Sequence, residues 1–178
     1  MNAPIRIGIV GYGNLGRGVE AAIKLNQDMQ LVGVFSRRDP AAVTTLNAQT
    51  PVFPITELLK DRDDIDVLVL CGGSRSDLPA QSPELAAHYS VVDSYDNHAH
   101  IPEHFDAVDD AAQTAGTTAI ISTGWDPGLF SLNRLFGEAI LAQGSTYTFW
   151  GRGLSQGHSD ALRRVPGVAG GVQYTLPS

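Results

Sequence analysis

Short apolar runs alternate along most of the chain with longer stretches of helical period, and the runs close on Gly, Ser, Asp or Asn. Residues 5–10, 31–35, 67–71, 90–93 and 118–122 are predicted as strands, and residues 15–25, 55–60, 83–88 and 103–115 as the helices between them. The runs are near-continuous Val, Ile and Leu rather than alternating apolar and polar, the mark of strands covered on both faces. The expected fold class is therefore α/β, a doubly wound parallel sheet sandwiched by helices. Right-handed crossovers then bring the carboxyl ends of all strands to one edge, where such sheets bind ligands.

The character changes after Ser122. Gly124, Pro127 and Gly128 break the chain, a helix is expected over 129–142, a Thr- and aromatic-rich strand over 145–150, and a further strand over 170–177 that stops without a partner. The division predicted is a nucleotide-binding domain over 1–122 and the start of a second, α+β substrate domain over 123–178. Pieces as small as the second rarely bury enough surface to stand alone, so a truncated chain is the expectation. No internal repeat or low-complexity tract is visible.

Composition narrows the function classes. The chain has 178 residues, 43% hydrophobic and 17% charged, with 19 Asp and Glu against 12 Lys and Arg for a net charge of −7. A globular core is expected, and the acidic balance lacks the basic footprint that nucleic-acid binding requires. The longest apolar stretches, such as 67–71 and 119–121, fall far short of the ~18 residues of a membrane span, and residues 1–6 carry no signal-peptide pattern. With Cys71 as the sole cysteine no internal disulfide forms, and a cytoplasmic location is the expectation.

The chemistry starts at Gly11, Tyr12, Gly13, Asn14, Leu15 and Gly16, a GxGxxG string placed directly after the first strand and opening the first helix. Glycines there permit a tight turn and let main-chain N–H groups approach a pyrophosphate, to which the helix N-terminus adds partial positive charge. NAD-binding relatives of this arrangement end the second strand in Asp or Glu, about 20 residues on, to hold the ribose hydroxyl. Here that place holds Ser36, Arg37 and Arg38. Guanidinium groups bind a 2′-phosphate that a carboxylate would repel, so NADP is the implied cofactor, against the plainer reading of two solvated charges at a strand end.

Cys71, Gly72, Gly73 and Ser74 close the third predicted strand, where small residues let a cofactor lie against the backbone; Cys71 itself reads as a packed small hydrophobe rather than a nucleophile. The segment 93–100 leaves three readings open. Asp96 could be a catalytic or amine-binding carboxylate; Asp96, His98, His100 and His104 could bind a metal, as in a metal-dependent hydrolase; or Asp96 and Asn97 could serve only as turn and cap residues. At 122–128, Trp125 beside Asp126 suits a pocket that stacks a flat group and holds a cation, or else a hinge turn in which Asp126 caps the next helix. Arg163 and Arg164 either bind a carboxylate or decorate an exposed helix face.

Taken together, GYGNLG at 11–16, FSRR at 35–38, DSYDNH at 93–98, STGWDPG at 122–128 and GLSQGHSDALRR at 153–164 resemble meso-diaminopimelate D-dehydrogenase along essentially the whole chain. The resemblance implies a Rossmann-type fold and NADP-dependent oxidative deamination of the D-centre of meso-2,6-diaminopimelate, giving L-2-amino-6-oxopimelate and ammonium. It assigns cofactor contacts to Gly11 through Gly16, to Ser36, Arg37 and Arg38, and to Cys71, Gly72, Gly73 and Ser74. Ser94, Tyr95, Asp96, Thr123, Gly124, Trp125, Asp126 and Pro127 would bridge cofactor and substrate. Asp96 and Asp126 would hold the ammonium and accept its proton, while Trp125, Trp150, Gln156 and Gly157 line the substrate pocket. No metal is implied, and a homodimer is expected at full length. Family members are roughly twice as long, so this chain alone is expected to bind cofactor weakly and turn over little or no substrate. An NADP(H)-binding module without catalysis is the alternative.

Overall fold

The computed structural model describes residues 3–60, 62–124, 129–141, 143, 153–155, 159 and 162–176, with the main chain alone at 98, 131, 154, 155 and 175. The chain divides into two compact units, Met1–Asn133 and Arg134–Ser178.

The first unit is built on β1 (Ile5–Val10), β2 (Met29–Ser36), β3 (Val52–Pro54), β4 (Val67–Leu70), β5 (Ser90–Asp93) and β6 (Ala119–Ile120). They form one sheet in the order β3-β2-β1-β4-β5-β6, and every pairing in it is parallel. That is the strand order of the Rossmann class. Helices α1 (Asn14–Leu25), α2 (Leu78–Ala86) and α3 (Ile101–Ala115) supply crossovers. Ile7, Ile9, Val34 and Ile23 of α1 bury one face of the sheet; Phe35, Leu68, Leu70, Val91, Leu78 and Leu85 of α2, and Val108 of α3 bury the other. Leu68, Leu70 and Leu78 are each fully buried, a gain of about 1.5–3 kcal/mol per side chain. Gly8 makes this packing possible, because a Cβ there would lie 2.7 Å from Leu68 Cδ2. The continuous apolar strands are thus covered on both faces, as their pattern predicts.

Local signals explain most boundaries. α3 ends where Gly116 adopts φ 71° and its N–H bonds back to the carbonyls of Ala112 and Gln113, a left-handed cap that glycine takes without strain. Four elements depart most from the sequence expectation. The helix predicted over 83–88 begins at Leu78, because the N–H groups of Ala80 and Gln81 bond to the Asp77 carbonyl and build the first turn there; Pro83 sits inside it. Residues 55–60 form a 3₁₀ helix rather than an α-helix. β6 is two residues long instead of five. β3 was not expected at all: Pro51 and Pro54 hide it, and it lies at the sheet edge, where proline is tolerated.

In the second unit, β7 (Gly153–Ser155) pairs antiparallel with β8 (Gln173–Thr175). The strand expected over 170–177 therefore has a partner, a correction to the reading that left it unpaired. The N–H of Gln173 also donates to Ser159 Oγ at 2.8 Å. α4 (Phe130–Ile140) matches the expected helix, and the boundary between the units falls within it. The strand expected over 145–150 lies outside the described residues. Among the described residues no helix is long and apolar enough to cross a membrane.

Candidate functional site

The carboxyl ends of β1, β2 and β4 meet through main-chain bonds. The Gly11 N–H donates to the Phe35 carbonyl at 2.8 Å, and the Cys71 N–H to the Val10 carbonyl at 2.7 Å. Gly11 and Gly16 have steric reasons to be glycine, and Gly13 has none within the chain. Gly11 has φ 87° and packs against the main chain of Cys71. A Cβ on Gly16 would sit 2.5 Å from the Gly11 carbonyl oxygen, so helix and strand approach only because it is absent. A Cβ on Gly13 would meet nothing within 4 Å. Gly13 is also the residue preceding α1, and no side chain caps that helix. Open space thus lies beside an uncapped first turn, the arrangement that receives an anionic diphosphate. Asn14 and Leu15 are exposed on that turn.

The two arginines after β2 are tied to different turns. Arg38 Nη2 donates to the Tyr12 carbonyl oxygen at 2.7 Å, and its N–H donates to the buried Ser36 Oγ at 3.0 Å. Arg37 Nη2 lies 3.0 Å from Asp77 Oδ1 with most of its side chain exposed. Asp77 Oδ2 in turn accepts from the Gly73 N–H at 3.0 Å. Burial pushes the Asp77 carboxyl up, but the Gly73 amide and the Arg37 charge outweigh it and hold it below the usual range. Beneath the turn, buried Glu20 accepts from the Tyr12 hydroxyl, from the Thr50 hydroxyl at 2.7 Å and from the N–H groups of Leu46 and Asn47 at 3.1 and 3.2 Å. These bonds join α1 to the segment that precedes β3.

Gly72 and Gly73 pack on α2: a Cβ on Gly72 would lie 2.8 Å from Asp77 Cβ. Burial pushes the Cys71 thiol up to about 12, so it is uncharged near neutral pH and unsuited to nucleophilic attack. Ser74 Oγ accepts the Asp96 N–H at 3.2 Å and faces the Ser94 carbonyl at 3.4 Å. Asp96 is exposed. Tyr95 is 3% exposed, its ring stacked on His104 at 4.0 Å, so a ligand at this edge meets its main chain rather than its ring. Thr123 donates through its N–H and its hydroxyl to the Asp93 carbonyl at 2.9 and 2.6 Å, which brings Thr123 and Gly124 beside the end of β5.

The imidazoles diverge. His104 is buried with Nε2 2.7 Å from Asp93 Oδ2, and exposed His100 lies 3.9 Å from Glu103; the His98 side chain lies outside the described residues. Among the described residues no group of His, Cys, Asp and Glu could hold a metal ion. Arg163 Nη1 donates to the Gly171 carbonyl at 2.8 Å in the second unit. Trp125, Asp126, Pro127, Trp150, Gln156 and Gly157 also lie outside the described residues. Sequence reasoning passed over Glu20, Asp77 and Asp93. Only Glu20 left a signal, as a charged residue on the face of α1 that carries Gly16 and Ile23.

The parallel strand order and the glycine turn define a dinucleotide-binding α/β protein. The chain is similar, more narrowly, to meso-diaminopimelate D-dehydrogenases. It is 62% identical over 173 residues to the meso-diaminopimelate D-dehydrogenase of Lysinibacillus sphaericus, covering 97% of this chain and 53% of the relative. The family model of the diaminopimelic acid dehydrogenase C-terminal domain matches residues 124–178. The solved structure of a Corynebacterium glutamicum DAP dehydrogenase in complex with DAP superposes with a TM-score of 0.79 at 55% identity, over 99% of this chain and 54% of that one. An engineered D-amino acid dehydrogenase bound to NADP+ superposes with a TM-score of 0.78 at 54% identity, over 99% and 54%. The chain thus spans about half the length of the curated relatives it matches.

Proposed function

We propose that this chain forms the NADP-binding part, and the beginning of the substrate-binding part, of an enzyme that oxidatively deaminates the D-centre of meso-2,6-diaminopimelate to L-2-amino-6-oxopimelate and ammonium. The observation that carries the reading is the open space at Gly13 beside an uncapped helix start, with Arg38 bonded to the adjacent Tyr12 carbonyl and with Arg37 and Arg38, not a carboxylate, following the end of β2. In this reading residues 1–122 hold the cofactor, and residues 123–178 contribute to the substrate pocket and to a homodimer in the cytoplasm. The similarity to proteins whose names record NADP+ and DAP supports the choice of both ligands.

Gly11 through Gly16 would receive the diphosphate, Arg37 and Arg38 the 2′-phosphate, and the 71–74 turn with Ser94, Thr123 and Gly124 the rest of the dinucleotide. When bound, the nicotinamide supplies the hydride acceptor. Hydride leaves a carbon only when its nitrogen has a lone pair to donate, so the substrate ammonium must first lose a proton. Asp96, exposed at the sheet edge, and Asp126 are the carboxylates to which the reading gives that proton. The carboxylate that keeps its charge would stabilise the iminium cation that follows, which water then hydrolyses to the oxo product and ammonium. Trp125, Trp150, Gln156 and Gly157 would select the substrate.

The test is NADPH formation, followed by absorbance, from NADP and the meso, L,L and D,D isomers of diaminopimelate, with the full-length protein and this chain in parallel. Turnover of the meso isomer by the full-length protein, with L,L inert, is expected. NADPH binding without turnover of any isomer would replace this reading with that of a binding module.

A further inference from the structure

We infer that Asp93 is a positioning residue for this deamination, holding in register the two chain segments that carry the candidate proton acceptors. The inference rests on the functional reading above. Asp93 ends β5 and is 1% exposed, too deep to touch a substrate. Its carboxylate nonetheless has a donor on every side. Oδ1 accepts the Tyr95 N–H at 3.1 Å and the Ser122 N–H at 2.8 Å. Oδ2 accepts the Ser82 hydroxyl at 2.7 Å and lies 2.7 Å from His104 Nε2. Its main-chain carbonyl accepts both the N–H and the hydroxyl of Thr123.

The partners sort into two groups. Ser82 on α2 and His104 on α3 are buried anchors, the latter clasped against Tyr95; they fix the plane of the carboxylate from behind. Tyr95 and Ser122 are the points where the chain leaves β5 toward Asp96 and leaves β6 toward Asp126. A buried carboxylate with all its acceptor sites filled has one orientation, so one group sets both departures.

Ser122 shows that this control has consequences. It has φ 57°, the single positive φ at a residue other than glycine among those described, a conformation that persists only where the surroundings impose it. Its own hydroxyl is buried without a hydrogen-bond partner, so the bond that holds the turn is the one its N–H donates to Asp93 Oδ1. Ser74 adds a third link, accepting the Asp96 N–H from the neighbouring crossover. A reaction that depends on placing an acceptor against an ammonium loses rate when such a frame slackens, even though binding of the dinucleotide across the Gly11–Gly16 turn is untouched.

The experiment uses the full-length protein with Asp93→Ala and Asp93→Asn. Asp93→Ala is expected to lower kcat for meso-diaminopimelate at least 30-fold while the Kd for NADPH stays within threefold. Asp93→Asn should recover kcat to within about fivefold of the parent: its oxygen still accepts the two N–H groups, and the Ser82 hydroxyl and the His104 imidazole can each accept from its amide. A folded Asp93→Ala enzyme with kcat within threefold of the parent, or one that loses NADPH affinity in step with kcat, overturns the proposal. Should Asp93→Ala not fold, Ser82→Ala decides, since it removes a donor to Asp93 Oδ2 at a residue outside the cofactor and substrate machinery: a fall in kcat of about tenfold with the Kd for NADPH within threefold is expected, and an unchanged kcat overturns the proposal. If the parent enzyme itself turns over no meso-diaminopimelate, the deamination reading fails and this proposal with it; parent turnover with an unaffected alanine variant removes this proposal alone.

Discussion

The guanidinium of Arg38 donates to the carbonyl oxygen of Tyr12 at 2.7 Å, joining the end of β2 to the glycine turn after β1. Arg37 makes no such link and reaches across to Asp77 at the turn after β4. Arg38 is thus tied to the glycine turn and Arg37 to the turn after β4.

That difference separates their variants. Charge-assisted bonds are worth about 1.5–3 kcal/mol, or roughly 10- to 100-fold in affinity. Arg37→Ala should weaken NADP by about that factor and leave NAD within threefold. Arg38→Ala should weaken NADP as much and NAD several-fold as well. Equal loss of NADP and NAD in Arg37→Ala, measured by equilibrium titration, would remove the 2′-phosphate from its role.

Gly13 and Gly16 make opposite predictions from the same motif. Gly16→Ala places a methyl 2.5 Å from the Gly11 carbonyl, and the backbone must move, so a large drop in Tm is expected. Gly13→Ala enters open space and should leave Tm within about 3 °C, since a change at a helix N-cap costs at most about 1 kcal/mol. Its NADPH affinity should nevertheless fall at least tenfold, because the methyl fills the room left for the diphosphate.

Glu20 links stability to pH. Burial pushes its carboxyl up, but the hydroxyls of Tyr12 and Thr50 and the amides of Leu46 and Asn47 pull it below its ordinary 4.5. A carboxyl whose folded value is depressed adds stability above its unfolded value and loses it as pH falls through the folded one. Asp77 shifts the same way from 3.8. Tm should thus be flat above about pH 5 and fall as the solution is acidified below about 4.5. Glu20→Gln should lower Tm at neutral pH by roughly 5 to 15 °C, the equivalent of about 2–4 kcal/mol for buried donors left poorly paired, and should flatten the acid limb. An unchanged acid limb in Glu20→Gln would contradict this.

Cys71 should behave as packing. With its thiol pushed up to about 12 by burial, labelling by iodoacetamide at neutral pH should be far slower than for an exposed cysteine, and Cys71→Ala should retain NADPH binding within about threefold. Rapid labelling in the folded chain would contradict the assignment.

What the sequence made legible follows from how local each signal is. Gly11, Gly13 and Gly16 were readable because their spacing after an apolar run leaves few other uses, and Ser36, Arg37 and Arg38 because their place at the second strand end is fixed by that motif. Asp77 and Asp93 were not, because each also has a partner far away in sequence: Asp77 pairs with Arg37, and Ser122 is 29 residues from Asp93. His104 suggested a ligand in sequence, yet its partner is Asp93 and its ring is buried. Pro83 misled as a helix start because the Asp77 carbonyl had already built the first turn. β3 escaped notice because three residues bounded by prolines carry no period of their own.

The central claim, an NADP site formed by the glycine turn and the end of β2, is tested most directly by titrating NADPH and NADH into this chain and following the nicotinamide fluorescence. Binding of NADPH at least tenfold tighter than NADH, abolished as a preference by replacing Arg37 and Arg38 with alanine, is the predicted result. Equal affinity for the two dinucleotides, or binding of neither by the folded chain, would contradict it.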